Sequence, residues 1–453
     1  MDRRPGSSLN WTKAPEAMSD SPLEILSPPL SGDPAGTEYR CPGESYPISR
    51  AVHLSRLAAY YPKCRRCPHR DDAGQLPVAP CDDQPEQPVR IRRDSICQQE
   101  GLRGVYLNAM TRRDCERAAE AVASLAWEQC PRRVRNPEAA SPSATRYAPD
   151  VVVGHDRRPS SPDLVTGVAT ALRRMGCTVI DVGQVRRPCF DFAVDHLQAA
   201  AGMYVTGNGF GPTWNGVDIV GAGAVPWSAP GTLTEVCGRM EQTIHRPTRR
   251  GGTQRTFHAS VPYQAGLWKH FHSLRPLSIS VCSRDPLART TLEQLLADTP
   301  CDPEFASDER NWPPVTDTNA STDFDLALLI DEDGRRVELF SASGQRLPQT
   351  ELAARLLHRL RPPARATSVI VSDDANPALV ATLQQPDCTV IRGGTTLESM
   401  HAAMIEHPHA FGTDGRGRFW FCDPYPKCDA IVTAAKLLEI FAADSCGESP
   451  LIF

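Results

Sequence analysis

Residues 150–183 read DVVVGHDRRPSSPDLVTGVATALRRMGCTVIDVG. Val151, Val152 and Val153 open a short β-branched run that ends in polar residues. From Pro162 to Gly176 the apolar residues recur at helical spacing, with proline in the first turn and glycine as the stop. Residues 177–183 form a second apolar run. Strand, helix and strand of these lengths make a parallel βαβ unit. The pattern continues with a helix over 190–200 and a strand over 201–207. It recurs at 277–284, 285–298 and 323–333, and again at 366–374, 376–385 and 388–394. The fold class is therefore α/β, with three α/β segments in tandem.

The chain has 453 residues, enough for roughly three domains. Its 49 basic and 54 acidic residues leave a formal charge of −5, which favours no polyanionic partner, so no nucleic acid is expected. The N-terminus MDRRPGSSLNWTKAPEAM lacks a signal peptide's apolar core, and no apolar run approaches the ~18 residues of a membrane span. A cytoplasmic location without membrane contact is the expectation. There the 16 cysteines would be reduced thiols or metal ligands and not a disulfide framework.

Eight of the first fifty residues are proline, without period, so residues 1–50 are expected to be disordered or extended. Residues 51–62 read as a short amphipathic helix halted at Pro62. Residues 131–149 and 244–256 read as exposed connections, the second a domain boundary. The expected divisions are a small Cys/His module over 51–96 and α/β domains over 97–247, 257–346 and 347–453.

In an open α/β sheet, ligands sit at the carboxyl ends of the strands, so the loops there carry the chemistry. Three stand out. GHDRRPSS (154–161) offers Asp156, Arg157 and Arg158 before a helix, although SSPDL is also a plain helix-start signature. VTGNGFGPTWNG (205–216) is glycine-rich and follows a strand, so its backbone could cradle an anion. DEDGRR (331–336) sets Asp331 and Asp333 two apart, where one turn could present both to a divalent cation or simply to solvent.

Taken together and in order, these loops resemble the phosphohexomutases, the family of phosphoglucomutase and phosphomannomutase. EGLRGVYLNAM (100–110) resembles the family's opening Gly-Ile-Arg-Gly strand, with Arg103 on its arginine. GHDRRPSS resembles its Gly-Arg-Asp-x-Arg-x-Ser segment, and 205–216 its phosphoserine loop. DEDGRR resembles its Asp-Gly-Asp-x-Asp-Arg metal loop, and DGRGR (414–418) its Glu-x-Ser-Gly-His sugar loop. The resemblance covers about 97 to 445. It implies domains around a central cleft, a hexose phosphate or other phosphorylated small molecule as ligand, Mg²⁺ held by three aspartates, and reversible phosphoryl transfer through a phosphorylated serine. Asp156 and Arg158 then belong to the catalytic set, and Asp414, Arg416 and Arg418 to substrate binding.

The chemistry-bearing positions depart from that pattern. The serine position is Asn208, the histidine position Gly209 and the asparagine position Phe210, while Thr206, Asn215 and Gly216 match. An amide cannot carry phosphate by the serine route. Thr206 has a hydroxyl but lies two residues early, and Ser160 and Ser161 are the other candidate carriers. The third metal aspartate is Arg335, whose side chain would repel Mg²⁺ or stand in its place. His155 replaces the family's first arginine of GHDRR. The chain ends at Phe453, where the resemblance would begin a fourth domain, so an architecture without it is expected. Phosphoryl transfer depends on positioning and charge, and these changes touch carrier, metal and clamp together. The expectation is a catalytically degenerate relative acting as a sugar-phosphate binder, lined by Arg103, Arg157, Arg158, Arg416 and Arg418, or as a scaffold. The alternative is an active phosphotransferase with another nucleophile.

YYPKCRRCPHR (60–70) carries Cys64-x2-Cys67 with His69 nearby. A lone pair at this spacing is half of a tetrahedral zinc site. The remaining ligands would come from His53, His69, Cys81 or Cys97, and a free proline-rich loop with thiols fits equally. The extension also offers basic residues to a protein partner.

Overall fold

A computed structural model of the chain describes residues 39–58, 61–70, 96–129, 148–306, 312, 324–361, 366–423 and 425–444. Two compact units result, residues 1–89 and 90–453.

In the first unit Tyr39 and Ile48 pair as an antiparallel bridge and are both buried, followed by helix α1 (Arg50–Ala58). Within the stretch expected to be disordered or extended, residues 39–48 thus form a bridged turn. Aromatic and β-branched side chains at the two ends of that turn bury each other.

The second unit holds three sheets. The first is built from β1 (Cys97–Gln98), β2 (Gly101–Val105), α2 (Arg112–Gln129), β3 (Asp150–His155), α3 (Ser161–Arg174) and β4 (Thr178–Gln184). It continues through α4 (Arg187–His196), β5 (Ala201–Val205), β6 (Trp214–Gly221), α5 (Thr232–Met240) and β7 (Gln254–Thr256). Its strand order is β1-β2-β6-β5-β3-β4-β7. Strands β3, β4, β5 and β7 are parallel, whereas β2 and β6 run antiparallel to their neighbours. The parallel βαβ units expected are present in β3, β4 and β5, within a sheet that is mixed overall. The short glycine-rich loop between β5 and β6 can only return the chain as a hairpin. Strand β7 also lies within the stretch read as a free connection, pairing with β4 through Val179, Ile180 and Asp181.

Helices α2 and α3 bury Ala118, Val122 and Leu125 with Leu164, Val168 and Leu172 against this sheet in one apolar cluster. Gly216 lets β6 lie against β2, since a Cβ there would sit 1.7 Å from the Leu102 carbonyl oxygen. Cys97 and Cys237 form a disulfide between β1 and α5. That corrects the reduced-thiol expectation for Cys97 and Cys237 alone, and the zinc role considered for Cys97.

The second sheet comprises β8 (Ser278–Ser283), β9 (Asp302–Phe305), β10 (Leu326–Ile330) and β11 (Val337–Ser341), ordered β11-β10-β8-β9. Helix α6 (Ser260–Leu267) precedes it and α7 (Pro286–Leu296) packs on it, its start capped by the Asp285 side chain accepting from the Leu287 amide. The third sheet follows α8 (Gln349–Leu360) and comprises β12 (Thr367–Val371), β13 (Cys388–Arg392), β14 (Phe411–Thr413), β15 (Phe419–Cys422) and β16 (Pro426–Cys428). Its order is β13-β12-β14-β15-β16, with α9 (Pro377–Leu383), α10 (Leu397–Glu406) and α11 (Ala430–Asp444) around it. One apolar cluster runs from Phe190 through Leu292 and Leu328 to Phe411 and Leu438, so the sheets of this unit share a core. Among the described residues no helix is long and apolar enough to cross a membrane.

Candidate functional site

The loops after β3, β5, β10 and β14 all leave carboxyl ends of strands. Three of these loops, those after β5, β10 and β14, edge one cavity of about 400 Å³, lined among others by Glu100, Arg103, Asn208, Phe210, Asp218, Arg284, Asp331, Arg335, Arg336 and Arg418.

The loop after β5 is held from below. Buried Arg158 donates through Nη1 to the Gly211 carbonyl at 2.7 Å and the Trp214 carbonyl at 3.1 Å, and through Nη2 to the Phe210 carbonyl at 3.2 Å. Asp156 accepts from the Thr206 hydroxyl at 2.9 Å, the Ser161 hydroxyl at 2.5 Å and the Gly207 amide at 3.2 Å. The Thr206 oxygen also accepts from the Asn208 amide at 3.0 Å. Asn215 donates to Ser160 at 2.7 Å and to Ser161 at 3.0 Å. Phe210 stacks on Trp214 with ring centroids 4.9 Å apart, closing the loop's outer side.

This network assigns Asp156, Arg158 and Thr206 to holding the loop. The three candidate hydroxyls face Asp156 or Asn215, and none of them lines the cavity. Asn208, at the serine position, does line it.

The loop after β10 turns at Gly334, where φ is +70°, a conformation glycine adopts freely. One carboxylate oxygen of Asp331 accepts from the Arg335 amide at 2.9 Å and the Arg336 amide at 3.0 Å. Arg335 donates through Nε to Asp333, and both side chains are buried. Burial and the neighbouring Asp333 raise the Asp331 pKa above the usual carboxylate range. Burial works against the Asp333 charge as well, but Arg335, Arg418 and Arg187 outweigh it and hold its pKa low.

A divalent ion needs several inward oxygens in a cluster of negative charge. Here one aspartate is turned onto its own loop's amides and the other onto a guanidinium. The residues present do not fit Mg²⁺. Among the described residues no group of three or more His, Cys, Asp and Glu is gathered in a form that holds a metal ion.

The remaining candidates separate. Arg103 and Arg187 donate to the two oxygens of buried Asp218, so Arg103 reaches the cavity as half of an ion pair. Arg157 is exposed. Asp414 accepts from the Arg416 amide at 2.8 Å and the Arg418 amide at 3.1 Å, closing its own turn. Arg416 is tied at the surface to Asp374 at 2.9 Å. Only Arg418 of the expected sugar loop enters the cavity.

Sequence reasoning missed Arg284 and the part played by Arg336. Arg336 and Arg418 pair as an isolated bridge across strands that the sequence pattern did not signal. Their Nε atoms, with that of Arg103, are buried without a hydrogen-bond acceptor. Burial and the like charges of Arg335 and Arg336 press the Arg418 pKa below its usual value. An anion bound here would relieve that repulsion and accept from those donors.

Of the residues expected around zinc, Cys81 lies outside the described residues, and His69 packs edge-on against Tyr39, with ring centroids 5.3 Å apart.

Residues 94–243 match the family profile described as phosphoglucomutase/phosphomannomutase, alpha/beta/alpha domain I. Residues 94–243 thus form a domain of the phosphoglucomutase/phosphomannomutase domain I type. The phosphomannomutase/phosphoglucomutase of Pseudomonas aeruginosa is 24% identical over 327 residues, covering 67% of this chain and 68% of that protein. The phosphoglucosamine mutase of Leuconostoc mesenteroides is 24% identical over 325 residues, 65% of this chain and 70% of that one. In fold, a phosphoglucomutase/phosphomannomutase family protein of Burkholderia thailandensis superimposes with a TM-score of 0.64 at 20% identity, covering 77% of each chain. Parafusin, a Paramecium phosphoglucomutase in its open form, gives 0.55 at 12% identity, covering 78% of this chain and 71% of that one. Asn208 and Arg335, the two positions where the resemblance places a serine and an aspartate, both line the cavity.

Proposed function

We propose that this chain binds a hexose phosphate in the arginine-lined cleft without a metal ion and without transferring phosphate, as a sensor or scaffold in carbohydrate phosphate metabolism. The observation that carries the reading is the Arg335–Asp333 pair inside the metal loop. A guanidinium there supplies fixed positive charge where a family enzyme draws it from Mg²⁺. Arg336 and Arg418, with donors left over, add the charge-assisted contacts that suit phosphate oxygens. At the neighbouring carrier position Asn208 offers an amide, which cannot be phosphorylated by the serine route.

An active phosphotransferase with another nucleophile is less well supported. Thr206, Ser160 and Ser161 do not line the cavity, so none of their hydroxyls is placed to meet a phosphate there. Family names of the relatives, which are mutases of hexose phosphates and of phosphoglucosamine, support the ligand class.

The test is direct. Purified protein is incubated with glucose 1-phosphate, glucose 1,6-bisphosphate and Mg²⁺, and glucose 6-phosphate is followed by a coupled dehydrogenase. No turnover is expected, whereas glucose 1,6-bisphosphate in EDTA should raise the Tm. Turnover that Asp331→Ala abolishes would overturn the reading, and an unchanged Tm at millimolar ligand would leave the scaffold role alone.

A further inference from the structure

The first unit builds a second site unrelated to the cleft. Tyr39 and Ile48 exchange backbone hydrogen bonds at 3.0 and 2.9 Å, and the Glu44 amide donates to the Cys41 carbonyl at 3.2 Å. Cys41 therefore lies on a tight turn. Helix α1 presents His53 inward, fully buried, and the Arg56–Glu44 ion pair at 2.6 Å ties the helix to that turn. A 3-10 turn over Pro62–Arg66 then brings Cys64 and Cys67 inward, with the Cys67 amide donating to the Cys64 carbonyl at 3.2 Å.

Cys41, His53, Cys64 and Cys67 are all buried in this unit. Cys41 Sγ lies 3.8 Å from Cys67 Sγ and 3.5 Å from His53 Nδ1. A tetrahedral zinc with bonds of about 2.3 Å to sulfur and about 2.0–2.1 Å to nitrogen requires edges of about 3.8 Å and about 3.5 Å. Two edges of such a tetrahedron are thus in place. Among the described residues no group of three or more such donors is yet gathered in a form that holds a metal ion. Binding one therefore requires these side chains to turn toward one another. Tyr39 stacks on the His53 ring at 4.2 Å and 6°, which fixes the imidazole with Nδ1 toward Cys41.

Among the described residues the buried apolar cluster here is Tyr39, Cys41, Ile48 and Cys67. A unit with so little core needs a staple. We propose that Cys41, His53, Cys64 and Cys67 form a Cys3His site for one structural zinc ion. The spacing is Cys41-x11-His53-x10-Cys64-x2-Cys67. Three thiolates and one imidazole in a tetrahedron select zinc among the divalent ions. The site replaces the Cys64, Cys67, His69 and Cys81 set that the sequence suggested.

The full-length chain, purified under reducing conditions without chelator, should retain one zinc per chain by elemental analysis. Replacement by Co²⁺ should give the intense visible absorption of tetrahedral cobalt and thiolate charge-transfer bands. Cys41→Ser and His53→Ala should lose the metal, whereas His53→Cys, Cys81→Ser and His69→Ala should keep it. His53→Cys separates loss of a ligand from loss of folding. A zinc content near zero with only weak octahedral cobalt absorption would overturn the site. So would metal loss in Cys81→Ser or His69→Ala, or a Cys41–Cys67 disulfide as the resting state. These outcomes are independent of ligand binding in the cleft.

Discussion

Arg335 donates through Nε to Asp333, two residues before it, inside the turn where phosphohexomutases present carboxylates to Mg²⁺. The side chains are 9% and 1% exposed, so the pair is desolvated and each charge depends on the other. Removing one partner of a buried pair costs about 3–5 kcal/mol. Asp333→Asn should therefore lower stability by about 3 kcal/mol in chemical denaturation. Arg335→Asp should also be destabilised, and it should gain a Tm increase with millimolar Mg²⁺ that the native chain does not show. A native chain stabilised by Mg²⁺ to the same degree would contradict this placement.

In the proposed binding mode Arg336 and Arg418 supply the anion contacts, since both line the cavity with an unpartnered Nε. A hydrogen bond to a charged group contributes about 1.5–3 kcal/mol. Arg336→Ala and Arg418→Ala should each weaken glucose 1,6-bisphosphate binding by about tenfold to a hundredfold. Arg416→Ala, at the surface with Asp374, should leave binding within about twofold, the scale of a weak exposed pair. Calorimetric titration of the three variants separates them.

Arg158 acts through the loop and not on the ligand. Its fork reaches three carbonyls, which a single ammonium cannot span. Arg158→Lys should keep its far-ultraviolet circular dichroism but be cut faster by protease within 207–214, with weaker ligand binding. Unchanged cleavage would reject the role.

Much of this was legible in the sequence. Most strands of the first two segments fall where the alternation of apolar runs and helices puts them, because Val151–Val153 and Leu326–Ile330 are buried on both faces. The short strands β14, β15 and β16, at 411–428, were less legible. Runs of three or four residues are too short for a period to appear, and their pairing is set by neighbours distant in sequence. In the site, Asn208 and Arg335 could be read by position. The commitment of Arg158 and Asp414 to backbone groups could not, since a charged residue in a loop looks the same whether it faces a ligand or its own chain. Cys41 was not among the candidate donors because it lies far from Cys67 in sequence and comes within 3.8 Å of it only through the Tyr39–Ile48 turn.

His401, on α10, is 5% exposed, and burial pushes its pKa down to about 4 from 6.5. Above pH 6.5 both folded and unfolded chains hold it neutral. As pH falls from 6.5 toward 4 the unfolded chain takes up the proton first, so stability declines through that window and levels off below it. The full effect at pH 4 is about 3 kcal/mol. His270, half-buried, is also pushed down to about 4, so some slope belongs to it. His401→Leu should show a smaller Tm loss between pH 7 and pH 5 than the native chain. An equal loss would mean that His401 is not held neutral.

Calorimetric titration of glucose 1,6-bisphosphate into EDTA-treated protein, repeated in excess Mg²⁺, measures the central claim most directly. With Arg335 on Asp333, binding should be present in EDTA and its Kd should change less than about threefold when Mg²⁺ is added. Binding that appears only with Mg²⁺ would contradict the account.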